Sequence, residues 1–264
     1  MDSTHDEPFR PELDAYLAGV ERALPSEAVA GVYLTGSVAL DDYRHGQSDL
    51  DILTLTTRPL TEAELDELEA LHKELEDGTQ PHTDAVYVPR EHVGGLPPED
   101  AAGHGLVVDG EFQRRGYGQA LVLWATLAQS GVTVRGPAAD TLGAAPDRAE
   151  LIAWNRGNLE EYWRTRAAAL REHLMGLEDA AEFPAWLAIW FGTGPGRLHR
   201  TITTGEIISK SRSADHTAEL LPVYSELPAR VKASRAGDES IAYTKRDGSA
   251  LCDLVDEVCD SLKE

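Results

Sequence analysis

Asp49 and Asp51 stand one residue apart, just ahead of the apolar run Ile52 to Leu55. In an extended chain residues i and i+2 share a face. This spacing therefore sets two carboxylates side by side. Like charges that close repel each other unless a cation lies between them, and hard oxygen ligands suit Mg²⁺. Twelve positions before Asp49, after the apolar run Val29 to Leu34, come Gly36 and Ser37. A glycine lets the backbone turn tightly and approach a ligand. Ser37 adds a hydroxyl, and the N–H groups of a helix starting there favour an anion. A phosphate cradle followed by a metal-binding carboxylate pair points to metal-assisted nucleotidyl transfer. The plainer alternative is a hairpin with a polar, solvated turn and an acidic strand start.

The elements that must position these side chains can be read from periodicity. Leu13, Tyr16, Leu17, Val20 and Leu24 fall at helical spacing over residues 9–24. Val29–Leu34 and Leu50–Thr57 predict strands, the second ending at Pro59. Thr61-Glu62-Ala63-Glu64 is a capping-box pattern. It opens a helix with Leu65, Leu68, Leu71 and Leu75 on one face, a solvated acidic face opposite, and Gly78 and Pro81 as its stop. Thr83 to Val88 alternates and is β-branched, which predicts a third strand. Asp84 stands at its start, either capping the turn after His82 or adding a third carboxylate to the pair.

Residues 94–116 are rich in Gly and Pro and read as connecting structure that could cover the site, with one short strand at Leu106–Val108 and His104 as a loop histidine. An apolar helix from Tyr117 to Gln129 and a short strand from Val132 complete the first half; residues 138–147 read as a linker. The second half is helical. Arg148 to about Met175 predicts one long helix, with Trp154 and Trp163 as core. Residues 179–191 predict another, which Gly192-Thr193-Gly194-Pro195-Gly196 should break. A helix then restarts at Arg197 and stops at Thr204, with Gly205 placed as its C-cap. Leu251, Leu254, Val255, Val258 and Leu262 mark a last amphipathic helix that carries Cys252 and Cys259 on its apolar face.

Gly36-Ser37, a spacer and Ser48-Asp49-Leu50-Asp51 resemble the signature of the DNA polymerase β-type nucleotidyltransferase superfamily. The wider context is most similar to its aminoglycoside adenylyltransferase branch, of the streptomycin and spectinomycin type. The segment from Arg197 to Lys210, with its Arg, Thr-Gly, Ile and Ser-Lys spacing, resembles the C-terminal helical domain of the same enzymes. The resemblance implies an α+β nucleotidyltransferase domain with a mixed sheet over residues 1–143, then an all-α bundle over residues 147–264. It implies Mg²⁺ on Asp49, Asp51 and Asp84. ATP as co-substrate would be held by Gly36, Ser37, Ser48, Arg197 and Lys210, the last two reaching its phosphates from the second domain. Asp84 falls where the branch has a general-base Glu, and is one methylene shorter.

The implied reaction moves AMP from ATP to a hydroxyl of an aminoglycoside-type antibiotic, which would make the chain a resistance enzyme. In streptomycin-modifying relatives an acid and an Asn lie just upstream of the Arg matched by Arg197. Here Ala185 to Gly192 carries neither. The acceptor stays open between this drug class, another hydroxylated metabolite and a partner protein. A module that binds nucleotide without turnover is the remaining possibility.

Bulk composition narrows the classes further. The 264 residues carry 24 basic and 46 acidic side chains, a net charge of −22. Nucleic-acid backbones are bound with Lys and Arg, so this chain is not expected to bind them. Its field attracts cations instead, which suits a polycationic aminosugar. With 42% hydrophobic residues the chain can bury a core. The two cysteines form no disulfide or metal pattern. The acidic start reads as no signal peptide and no run reaches membrane-spanning length. The expectation is a cytoplasmic monomer that acts on a small molecule.

Overall fold

In the computed structural model the described residues are 7–76, 82–96, 98, 100–116 and 120–263. The expected helix stop at Gly78 and Pro81, and the expected helix start at Tyr117, lie outside them. The chain divides into two compact units, Met1–Pro146 and Asp147–Glu264.

The first unit is built on a mixed six-stranded sheet. Helix α1 (Arg10–Ala23) leads into β1 (Val29–Leu34), a single helical turn α2 (Gly36–Ala39) and β2 (Leu50–Thr56). Then come α3 (Glu62–Leu75), β3 (Thr83–Pro89), β4 (Gly105–Val108), β5 (Glu111–Arg114), α4 (Ala120–Ser130) and β6 (Val132–Arg135). The strand order is β5-β4-β3-β2-β1-β6. Only β2 and β3 run parallel; the other neighbours are antiparallel. Helix α3 makes the crossover between the parallel pair, as parallel strands require. Its start is the expected capping box: the Thr61 N–H donates to Glu64 Oε2 at 2.8 Å and the Glu64 N–H to Thr61 Oγ1 at 3.3 Å.

Strand alternation divides the core between the two faces of the sheet. Val32, Leu34, Leu50, Ile52, Ala85 and Tyr87 pack against Leu13 and Tyr16 of α1 and Leu65 and Leu68 of α3. Tyr33, Leu53, Leu55 and Val88 pack on the other side against Trp124 and Leu127 of α4. Asp51 alternates with Ile52 and Asp84 with Ala85, so both carboxylates fall on the α4 side. Residues 105–114 are not a cover. They form the hairpin β4–β5, which extends the sheet edge. Its turn is Asp109-Gly110, with φ of 50° and 76°, the positive values that a tight primed hairpin turn demands.

The second unit is almost wholly helical: α5 (Arg148–Gly157), α6 (Arg164–Leu174), α7 (Ala185–Thr204), α8 (Lys210–Leu220), α9 (Glu226–Arg235) and α10 (Lys245–Asp260). A two-residue strand, β7 (Glu182–Phe183), pairs with β8 (Tyr243–Thr244). Residues 179–184 are therefore not helical, contrary to expectation. Arg148 to Leu174 does run as one rod, but Asn158–Trp163 is wound as a π-helix between α5 and α6.

The expected break at Gly192–Gly196 is absent: α7 runs through it, Pro195 included. Proline removes one helix donor and crowds the preceding turn. Here tertiary packing outweighs that cost. A Cβ on Gly192 would overlap Val231, one on Gly194 the Trp163 ring, and one on Gly196 the Ser213 and Thr217 hydroxyls. These glycines therefore let α7 lie close against its neighbours, and residues 191–196 are all buried. Ser213 Oγ donates to the Thr193 carbonyl at 2.5 Å, which ties α8 to the same turn. Gly205 is the αL C-cap expected of it, at φ 82°. Cys252 and Cys259 are buried in the core of this unit, and burial pushes both thiols up to about 11.

Gly194→Ala puts a methyl group where the Trp163 ring lies. It should destabilise the chain by about 1–3 kcal/mol, read as a lower urea midpoint. An unchanged midpoint would mean that α7 does not need its glycines for packing.

Candidate active site

The Gly-Ser turn and the two aspartates are built by β1 and β2 together. After β1 ends, the Thr35 N–H still donates to the Asp51 carbonyl at 3.0 Å. Gly36 then adopts φ +52° and starts α2. A Cβ on Gly36 would collide with the Asp51 carboxylate. The glycine backbone thus lies directly against the acid, and no other residue fits there.

Ser37 Oγ is buried and, among the described residues, has no hydrogen-bond partner. A buried hydroxyl left unsatisfied costs about 1–3 kcal/mol, which a ligand oxygen here would recover. Ser48, read as a nucleotide contact, is engaged locally. Its Oγ accepts the Arg44 N–H at 3.0 Å, and its own N–H returns to the Arg44 carbonyl at 2.8 Å. Ser48 braces the loop that delivers Asp49. Asp49 itself lies one residue ahead of β2 rather than within it.

Parallel pairing of β2 with β3 makes Asp51 and Asp84 register partners. The Leu50 N–H donates to the His82 carbonyl at 2.8 Å and locks that register. Burial pushes the Asp84 carboxyl up to about 7, with Asp51 and then Asp49 adding repulsion. One stabilising contact opposes them: the Asp109 N–H donates to Asp84 Oδ1 at 3.2 Å. The Asp109-Gly110 turn therefore orients Asp84. This residue was missed in the sequence, although Asp-Gly between Val107-Val108 and Glu111-Phe112 is a strong hairpin signal.

A second feature was missed. His82 Nδ1 lies 2.6 Å from Glu76 Oε2, and that bond raises the imidazole pKa, helped by the charges of Asp49 and Asp84. Tyr43 also senses the acidic field. Its hydroxyl is pushed up to about 12, mainly by burial and then by Glu12 and Asp49. His104 lies in the loop just before β4, as expected, and is buried there, with its Nε2 3.0 Å from His92 Nδ1.

Among the described residues no three His, Cys, Asp or Glu side chains are close enough to hold one metal ion as they stand. The donor chemistry nevertheless fits Mg²⁺. The carboxylates of Asp49, Asp51 and Asp84 repel one another, and their oxygens are the hard ligands that such an ion takes.

The remaining expected contacts lie in the second unit. Arg197 is half-buried on α7, and Lys210 is the first residue of α8. The connection between them is tightly built. Thr201 Oγ1 donates to the Arg197 carbonyl at 3.0 Å and to the Glu206 carbonyl at 3.1 Å. Glu206 pairs with Arg200 and Arg212, each at 2.7 Å. Ser209 caps α8 by accepting the Arg212 N–H at 3.3 Å.

Two comparisons with known proteins bear on this arrangement. Residues 17–108 match the family model of the nucleotidyltransferase domain. That span takes in β1, the Gly-Ser turn and all three aspartates. The fold is similar to that of a solved spectinomycin adenyltransferase, AAD(9) from Enterococcus faecialis, whose structure contains ATP and spectinomycin. The TM-score is 0.61 at 13% identity, over 94% of this chain and 98% of that one. Among curated proteins no sequence matches.

Two predictions follow from the geometry. Gly36→Ala should displace the Asp51 carboxylate and weaken divalent-cation binding, measured by Mn²⁺ titration; unchanged affinity would refute the close approach. The second concerns pH. Asp84 keeps its proton in the folded chain up to about 7 but loses it near its ordinary 3.8 when unfolded. Folding then takes up a proton between those values, so this residue's contribution to stability falls as pH rises through that window. In metal-free protein the drop in urea midpoint from about pH 5 to about pH 8 should be smaller in Asp84→Asn. An equal drop in both proteins would place the Asp84 pKa elsewhere.

Proposed function

We propose that this chain, which carries a nucleotidyltransferase domain over residues 17–108, is a Mg²⁺-dependent adenylyltransferase. It moves AMP from ATP to a hydroxyl of an aminoglycoside-type small molecule of the streptomycin and spectinomycin class. The observation that carries the reading is Asp51, packed against the Gly36 turn and in register with Asp84.

Asp49 and Asp51, with Asp84 opposite Asp51 in register, would be the residues to hold Mg²⁺. When bound, the ion neutralises charge on the triphosphate and at the attacked phosphorus. Gly36 lets the phosphates approach the backbone, and the Ser37 hydroxyl donates to one of their oxygens. Arg197 and Lys210 are assigned as phosphate-binding cations on the resemblance of their segment alone; cations serve where charge grows as the bond to the leaving pyrophosphate breaks. Asp84 accepts the proton of the acceptor hydroxyl as its oxygen bonds to the α-phosphorus. The Asp109 N–H donates to Oδ1 and leaves Oδ2 free of that contact for this work. The products are an adenylylated acceptor and pyrophosphate. The net charge of −22 supports a cationic acceptor. One observation favours a different hydroxylated metabolite or a partner protein: α7 offers no acid or amide between Ala185 and Gly192.

Pyrophosphate release from MgATP, measured against a panel of aminoglycosides and spectinomycin, tests this. Release with one panel member should fall by about a thousandfold or more in Asp49→Asn and Asp51→Asn, as loss of a major electrostatic contribution implies. Silence across the panel, with ATP still bound in a Mg²⁺-dependent way, would remove the drug assignment and leave the metabolite and protein acceptors.

A further inference from the structure

The helical unit holds a surface cavity of about 220 Å³. One wall is Arg156, Gly157, Leu159 and Glu160, where α5 passes into the π-helical turns; the other is Cys259, Leu262 and Lys263, at the end of α10 and just beyond it. π-helical turns are rare and are frequently found at functional sites. The wall is open at Gly157, where an added Cβ would meet nothing within 4 Å. The volume exceeds the roughly 150 Å³ of a cavity known to hold benzene.

The lining chemistry is selective. Leu159 and Cys259 are each 1% exposed and supply an apolar floor. The Cys259 thiol is turned to the Leu159 carbonyl, at 3.7 Å. On the rim, Glu160 is taken by Arg164 at 2.6 Å and Lys263 by Asp260 at 2.7 Å. Arg156 differs. It is exposed, and its Nη1 reaches the Leu262 carbonyl at 3.3 Å. Among the described residues no carboxylate pairs with it, in a chain with 46 acidic side chains against 24 basic ones. A guanidinium is a planar fork that matches a carboxylate in two parallel hydrogen bonds.

We propose that this cavity binds a small organic monocarboxylate, with its carboxylate on Arg156 and its apolar body against Leu159, Leu262 and Cys259. A phosphate or a polyanion fits less well, because Glu160 shares the rim and the floor offers no polar donor. A neutral apolar molecule would leave Arg156 unused.

Calorimetry and amide chemical-shift mapping on the full chain test this, with sodium benzoate as probe and benzamide as its uncharged twin. Benzoate should bind saturably, shift Gly157 and Leu159, and bind about tenfold tighter than benzamide, the factor expected of a charged hydrogen-bond pair. Arg156→Ala should remove that preference while keeping the far-ultraviolet circular dichroism of the parent. Gly157→Val narrows the cavity without touching a charge, so it should weaken benzoate binding even if the Arg156 variant fails to fold. Equal binding of benzoate and benzamide, no saturable binding of either, or benzoate binding undiminished in Gly157→Val would overturn the proposal.

Discussion

The approach of the Gly36 backbone to the Asp51 carboxylate is the constraint on which the first unit depends. There is no room for a Cβ between them, and the φ at Gly36 is one that L side chains resist. Once this contact is made, the end of β1 and the start of β2 are fixed against each other. The Thr35 N–H to the Asp51 carbonyl then continues the ladder into the site. Ser37, the next residue, is left with its hydroxyl buried and, among the described residues, unsatisfied. Such a group costs stability in a core, about 1–3 kcal/mol where no partner is found.

The same economy governs the carboxylates. Asp51 and Asp84 are forced together by parallel register, and burial with mutual repulsion holds Asp84 far above the ordinary range. A sheet that tolerates this needs support elsewhere, and it has cores on both faces. Tyr16 and Tyr87, fully buried on the α1–α3 side, bond Thr54 and His72 at 2.8 Å each. The sheet edge contributes as well: the β4–β5 turn lends a single N–H to Asp84. The strands thus deliver the acids, and a hairpin remote in sequence adjusts one of them.

The helical unit solves a different problem. Its α7 carries Pro195 and three glycines in five residues and is still continuous, because the glycines let Trp163, Val231 and Ser213 come close. Close packing here outweighs helix propensity, a weaker effect per residue. The π-helical turns at Asn158–Trp163 belong to the same compromise. They end at Trp163, whose ring packs against Gly194 of α7, and they begin just after Gly157, where there is open space.

By itself the sequence determined the central motif, the strands around it, the capping box at Thr61, the C-cap at Gly205 and the helical character of the second half. These are local signals, each carried within a few residues by alternation, helical period or cap chemistry. It left Asp84 open between a cap on the turn after His82 and a third carboxylate, and only the family resemblance favoured the second; the parallel register of β2 and β3 sets Asp84 opposite Asp51. Only the tertiary structure decided the rest. A glycine-rich stretch ends a helix when exposed and tightens one when buried, and nothing local says which holds at Gly192–Gly196. The Ser48 hydroxyl is turned into its own loop by Arg44, and Asp84 is oriented by Asp109, twenty-five residues on. The first is a bond within one loop, four residues apart, and the second joins a hairpin turn to another strand; in both, the direction in which the side chain points is set by folded backbone geometry, which residue types and spacing do not encode.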